Sequence, residues 1–369
     1  MRSLREKLQA TAPRQQVKKP AALDCYVKEI KTPAEAFLLP DQIAGDSLQL
    51  MLGGQWQDVR KEDILFLDTE TTGLSHGAGT VAFLVGVGYF EGEYFIVRQY
   101  MMRDYDEEIF LLTKVMEHLA QKKHLCTFNG ASFDMPLLEA RFTMQRMRNP
   151  YVLQHIDLLH VARRVWKLRL KSCRLGRLEE MVLGITREDD LPGALVPERY
   201  FQYLKCKDFS LLEDILEHNG QDIISLAHLL HRLCVLHDMP LTAEKQEDIF
   251  SLGRVYEKRG RNEGARMCYR AADKGSLSAL ARARIAETYR KEGDTEKAAQ
   301  VYETMVQNRQ GGTAPLIALA KIAEHKRRDI PAAIEYTRKA IMLSANREDG
   351  DMAALQKRFE RLMRKARKD

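Results

Sequence analysis

Apolar residues run in short uninterrupted blocks through the first two thirds of the chain and at helical spacing through the last third. The block ILFLD, from Ile64, predicts a buried strand. VAFLVGVGYF and YFIVRQYM flank Glu91-Gly92-Glu93 and predict two further strands joined by a tight hairpin. Over residues 106 to 120, Ile109, Phe110, Leu112, Val115, Met116 and Leu119 recur with the period of a helix. HLCTF then reads as a strand, a second helix begins near Met135, and residues 208 to 237 form a long helical stretch that would close the domain. A meander followed by alternating strands and helices predicts an α/β fold, a mixed sheet with helices on its faces. Residues 21 to 62 hold Pro33, Pro40 and Gly53-Gly54 among short apolar pieces, show no sustained period, and read as an irregular lead-in.

Beyond Pro240 the strand patterns end and a repeat begins. Leu252-Gly253, Tyr256, Ala265, Tyr269 and Ala272 return 33 residues later as Ile285-Ala286, Tyr289, Ala298, Tyr302 and Met305. A degraded third copy runs through Leu319-Ala320, Ala333 and Ala340. These spacings resemble tetratricopeptide repeats, in which small residues let paired helices approach and stacked pairs share a core. The expected divisions are a basic arm (1–20), the lead-in (21–62), a sheet domain (63–240), an all-α repeat domain (243–345) and a basic C-terminal helix or tail (346–369).

Composition changes this picture in one respect. Charged residues make up 30% of the chain and hydrophobic ones 45%, as in ordinary globular proteins, and the net charge is +6. That charge is unevenly spread: residues 243 to 369 carry 28 Lys and Arg against 19 Asp and Glu, and residues 1 to 20 carry six basic residues and one acidic. Basic ends flank an acidic middle, an arrangement suited to a polyanion, although such runs also form plain solvated helix faces. No apolar run reaches the roughly 20 residues of a membrane span, and the start lacks a signal-peptide core, so a cytoplasmic protein is expected. The six cysteines are scattered without a CxxC pair and read as buried reduced thiols.

The candidate chemistry lies in acids. Residues two apart on a strand face the same way, so Asp68 and Glu70 at the end of ILFLD can present both carboxylates to one site, where Mg2+ or Mn2+ would cancel their repulsion. An exposed, solubilising strand end is the plainer alternative. In TFNGASFDMPLL, Asn129-Gly130 ends a strand and Asp134 leads a helix, as a metal ligand or as a cap. His218 and Asp222 in EHNGQDIISL are four apart on one helical face, and Ile223, Leu226 and Leu230 would hold that helix to the core. Asp157 in HIDLLH stands at a strand-to-helix passage, where it supports the site or caps the helix. Arg163, Arg164, Lys167, Arg169, Lys171 and Arg174 surround Trp166; such a stretch can track phosphates and stack a base, or form a solvated helix with a half-buried ring.

Together the three acidic segments resemble the DEDD exonucleases of the RNase H-like superfamily. Those begin with D-x-E, continue with an Asn before a Phe-Asp, and place Tyr four or His five residues ahead of the last Asp. Here His218 stands at the tyrosine spacing and Glu217 at the usual histidine position. With LSHGAGTVAFLVGVG after the first motif and DDLPGALVPERY before the last, residues 20 to 345 resemble the YprB family, also called mitomycin repair factor B. The resemblance implies a metal-dependent 3′-to-5′ exonuclease fused to tetratricopeptide repeats, with catalytic roles for Asp68, Glu70, Asp134, His218 and Asp222. It also implies DNA as substrate, DNA repair as the setting, and a DNA helicase as a partner of the repeats. Phosphodiester hydrolysis by two ions about 4 Å apart would have Asp68 bridge them and Glu70, Asp134 and Asp222 complete their shells. His218 would then take the proton of the attacking water or only orient that water. The competing reading is a catalytically idle domain whose repeats scaffold other proteins.

Overall fold

The computed structural model describes residues 24–73, 79–187, 191–345 and 352–367; the basic arm at 1–20 lies outside them. Among these described residues the main sheet has six strands in the spatial order β1-β6-β5-β4-β7-β8. These are β1 (Tyr26–Pro33), β4 (Ile64–Thr71), β5 (Ala82–Glu91), β6 (Tyr94–Met101), β7 (His124–Thr127) and β8 (Gln154–Asp157). The two-residue strands β2 (Gln42–Ile43) and β3 (Val59–Arg60) pair apart from them. β4 pairs antiparallel with β5 and parallel with β7, so the sheet is mixed as its sequence predicts. Covered on both faces, β4 loses the alternation of a half-solvated strand and reads as a continuous apolar run.

The lead-in is more ordered than its composition predicts. Residues 26 to 33 pair with β6 along their whole length and form the edge of the main sheet. Every second residue of β1 is exposed and the rest are only half-buried, with Lys28 among them, so the strand carries too little apolar signal to be recognised alone.

Helices cover both faces. On one lie α1 (Gly45–Leu52) and, later in the chain, α4 (Leu158–Leu170) and α7 (Glu213–Asp238); on the other lie α2 (Glu108–Gln121), α3 (Asp134–Met144) and α6 (Val196–Cys206). The short α5 (Leu175–Leu178) runs directly into a π-helical turn, Glu179–Leu183. Residues 64 and 66 of β4 point into the first core, and residues 65 and 67 into the second. Asp68 and Glu70 continue the first series, toward α7.

The repeats fold as helix pairs: α8 (Gln246–Lys258) with α9 (Asn262–Ala271), α10 (Ser278–Lys291) with α11 (Thr295–Gln307), and α12 (Ala314–Ile322) with α13 (Ile330–Ala345), followed by α14 (Met352–Ala366). Gly253 is required where it stands, because a Cβ there would lie 2.8 Å from the Tyr269 ring of the facing helix. The degraded third copy packs like the others, with Ala320, Ala333 and Ala340 fully buried. Phe250, Leu252 and Tyr269 of the first pair share one continuous core with Trp166 and Leu233 of the sheet domain. Arg169 on α4 and Asp248 on α8 add a largely buried ion pair at 2.8 Å. The sheet domain and first repeat are therefore joined by packing as well as by chain.

Among the described residues no helix is long and apolar enough to cross a membrane. All six cysteines are free; five are buried and Cys206 is exposed, a correction to the expectation of uniformly buried thiols.

Candidate active site

The site forms where β4 ends beneath the first turns of α7. Between Glu70 and Thr71 the β4–β5 register slips, since Glu70 opposes Leu84 and Thr71 opposes Ala82. A bulge of this kind bends the strand and re-aims its side chains, here at the end that carries the acids.

Asp68 opposes Gly86 on β5. The missing side chain of Gly86 admits Asn219 of α7, whose Oδ1 would lie 2.2 Å from a Cβ at that position. A Cβ at Gly88 would likewise stand 2.4 Å from Cγ2 of Ile223. The VGVG of β5 thus lets α7 lie directly on the sheet and brings His218 and Asp222 to Asp68. Asn219 is fully buried, donates to Asp68 Oδ2 at 3.0 Å and accepts from Gln99 Nε2 at 3.0 Å. Gln99 also donates to the Leu216 carbonyl at 2.6 Å. Asn219 is a positioning residue that the sequence reading missed; its signal was a polar residue on the apolar face of EHNGQDIISL.

Asp134 arrives from the opposite helical layer. It is buried as the first residue of α3 and accepts from the Thr69 hydroxyl at 2.6 Å, so it contacts the strand rather than serving as the helix cap. The loop before it is braced by Asp157, which accepts from the backbone N–H groups of Asn129 at 2.9 Å and Ala131 at 3.2 Å. Asp157 also caps α4 through Leu159 N at 3.0 Å, so one carboxylate serves as the predicted cap and braces the loop. Asn129 adopts φ +72°, a left-handed conformation that asparagine tolerates.

On α7, His218 Nε2 lies 3.9 Å from Glu70 Oε1 and 3.6 Å from Asp222 Oδ2, whereas Glu217 is exposed. The one-residue departure from the usual histidine spacing therefore places His218, and not Glu217, toward the acids. Arg187, also missed in the sequence, donates to Asp222 and to Glu179, and its NH1 donates to His218 Nδ1 at 3.1 Å. A guanidinium can only donate, so Nδ1 is the acceptor and the imidazole proton resides on Nε2, facing the carboxylates. Glu179, almost wholly buried, begins the π-helical turn, a geometry common at functional sites.

The electrostatics of this arrangement are adverse. Burial, followed by repulsion from Asp222, Asp134 and Glu70, raises the Asp68 pKa well above the carboxylate range. Burial lifts Asp134 to about 6 against the lowering effect of the Thr69 hydrogen bond. Asp222 is also raised by burial, with His218 and Arg187 pulling the other way. Such carboxylates need protons or cations. Among the described residues no three histidine, cysteine or carboxylate side chains form a ready-made coordination cluster, and Arg187 engages Asp222. The donor set nonetheless fits a hard divalent cation, being four carboxylates drawn from β4, α3 and α7.

The basic stretch on α4 divides by function. Trp166 is 1% exposed inside the core, which corrects both alternatives, since the ring can neither stack a base nor lie half-buried on a solvated helix. Arg164 donates to the Met51 carbonyl and Arg169 pairs with Asp248, whereas Arg163, Lys167, Lys171 and Arg174 are exposed.

Residues 65–234 match the model of the RNase H superfamily, and residues 279–308 match that of a tetratricopeptide repeat. YprB of Bacillus subtilis (strain 168) is 30% identical over 312 residues, covering 83% of this chain and 75% of that protein. The family B DNA polymerase of Pyrobaculum calidifontis is 14% identical, with a TM-score of 0.37 over 53% of this chain and 29% of the polymerase. From its sequence, its six-stranded sheet and its helical repeats, the chain belongs to the YprB family, with an RNase H-like domain of nuclease type followed by tetratricopeptide repeats.

Proposed function

We propose that the carboxylate cluster hydrolyses phosphodiester bonds from the 3′ end of nucleic acid, with Mg2+ or Mn2+ as cofactor, DNA as substrate and DNA repair as the setting. The observation that supports this most directly is the convergence of Asp68, Glu70, Asp134 and Asp222, three of them with raised pKa values. Crowding of this kind destabilises a fold unless protons or a cation neutralise it, and a cation is the neutraliser that serves hydrolysis. The four carboxylates would hold two ions, which when bound activate water and stabilise the leaving oxygen. Asn219 fixes the Asp68 carboxylate, and Thr69 fixes that of Asp134. His218 presents its Nε2 proton to the acids while Arg187 holds Nδ1, so it accepts a proton from water only when Arg187 withdraws. On this reading residues 63–240 are the nuclease unit of a cytoplasmic protein, residues 243–345 engage a partner such as a DNA helicase, and residues 1–20 and 346–369 are basic flanks.

End-labelled single- and double-stranded DNA and RNA, digested with Mg2+ or Mn2+, test polarity, substrate and cofactor together. Stepwise loss from the 3′ end, absent in Asp222→Ala, is expected; an Asp222→Ala variant as fast as the parent would overturn the reading. His218→Ala is expected to lose about 10²–10⁴-fold, and full activity would remove His218 from proton transfer. The Arg187–Asp222 contact favours a second reading, a catalytically idle domain with scaffolding repeats. Absence of hydrolysis with every divalent ion would select it.

A pH dependence follows from Asp134. Its pKa is raised to about 6, so the stability it contributes when protonated is present below about pH 4 and is lost as pH rises through about 6. Cations bind the ionised form. The gain in melting temperature on adding Mn2+ to chelator-treated protein is therefore expected to be small at pH 5 and to grow above pH 6. A gain independent of pH between 5 and 7.5 would contradict it.

A further inference from the structure

We propose that the first two repeats and α4 together form a groove that grips the phosphate backbone of the nucleic-acid strand entering the carboxylate site. The inference rests on the nuclease reading for the strand's destination, and on the following geometry for the groove itself. A cleft of about 870 Å³ runs between α4 and the first helices of two repeats, α8 and α10. Among the described residues eight Lys and Arg side chains line it, against one carboxylate, that of Glu257. That carboxylate is already shared by Arg284 at 2.6 Å and Lys291 at 2.9 Å.

Arg163, Lys167, Arg254 and Lys258 are exposed and make no side-chain hydrogen bond or ion pair among the described residues. Arg163 and Lys167 are four residues apart on α4, as Arg254 and Lys258 are on α8, which lines up cations about 6 Å apart along each helix, and Lys171 follows at the C-cap of α4. So many unpaired like charges repel one another, and a polyanion relieves that repulsion. Two further polar groups on the cleft wall, the buried hydroxyl of Ser251 and Nε of Arg164, have no hydrogen-bond partner among the described residues.

The cleft also leads to the acids. Arg163, Lys167 and Lys171 line a second depression, which continues past Phe128 and Asn129 to Leu175. Asn129 opens the loop to Asp134, and α5, starting at Leu175, leads into Glu179, which holds Arg187. An acidic peptide would satisfy the charges but not this continuity. Among the described residues the main cleft wall carries no Phe, Tyr or Trp, and His160 is its one ring, so the grip is mainly on phosphates and largely independent of sequence.

Binding is best measured in chelator, where no strand is cut. A fluorescein-labelled 20-nucleotide single strand, as DNA and as RNA of the same sequence, is titrated from 0.05 to 0.4 M KCl against the full chain and against Lys167→Gln/Arg254→Gln/Lys258→Gln. Removing three phosphate contacts is expected to lower the salt slope by about 2 and to weaken binding roughly 100-fold at 0.1 M salt. Lys31→Gln/Lys114→Gln/Lys205→Gln, which removes three charges away from the cleft, is expected to bind like the parent, and single substitutions at Lys258 and Arg254 guard against misfolding of the triple variant. An unchanged salt slope in the groove variants, or preferential binding of polyglutamate by the parent, would overturn the groove. If the parent cleaves nothing while the groove variants still lose oligonucleotide binding, the nuclease reading falls and the groove stands.

Discussion

Replacing Asp68 by Asn is expected to lower nucleic-acid hydrolysis by about 10³-fold or more, about 4 kcal/mol of barrier, while raising the melting temperature of the metal-free protein. The two effects have one cause. Burial and three neighbouring carboxylates hold the Asp68 pKa far above its ordinary range, so its ionised form destabilises the fold at neutral pH. Asn is isosteric with the protonated acid and keeps an oxygen for the Asn219 donor at 3.0 Å. The variant retains the shape of the site and loses the charge that would bind a cation. Digestion of end-labelled DNA gives the rate, and melting in chelator gives the stability. A variant that is both inactive and less stable would show that Asp68 is structural, and one that remains active would remove it from the chemistry.

Gly86→Ala is expected to destabilise the protein by about 2–4 kcal/mol, although it adds a single methyl group to a strand. That methyl would lie 2.2 Å from Asn219 Oδ1, and Asn219 cannot retreat because Gln99 and Asp68 fix its amide from two sides. Denaturant unfolding measures the loss. Combining Gly86→Ala with Asn219→Ala frees the space and should recover part of the stability, giving a positive coupling in the double-mutant cycle. Hydrolysis should not recover with it, because Asp68 is then unheld. Additive losses in the double variant would mean that α7 does not depend on this contact.

The VGVG run shows where reading the sequence reached its limit. Its apolar residues announce a strand, and they form one. Its glycines carry no such message, because the helix they admit is more than a hundred residues away in the chain. Arg187 and Asn219 were hidden for the same reason: a lone arginine in a loop and a polar residue within a helix have many ordinary explanations, and only their partners distinguish them. β1 escaped notice because an edge strand with one face to solvent needs few apolar residues. Trp166 was misjudged in the other direction, since the cations around it spoke for the surface while its own ring supplied core volume.

Local periodicity and motif spacing by themselves determined the mixed sheet, the hairpin and the paired helices of the repeats. These follow from residue order, because alternation and helical period are properties of neighbouring positions. Tertiary structure alone decided that Arg187 and Asn219 join the acids, and that the first repeat shares a core with the sheet domain. Each of these depends on contacts between distant segments, where the distance of approach and the burial of charge are set by packing and leave no period in the chain.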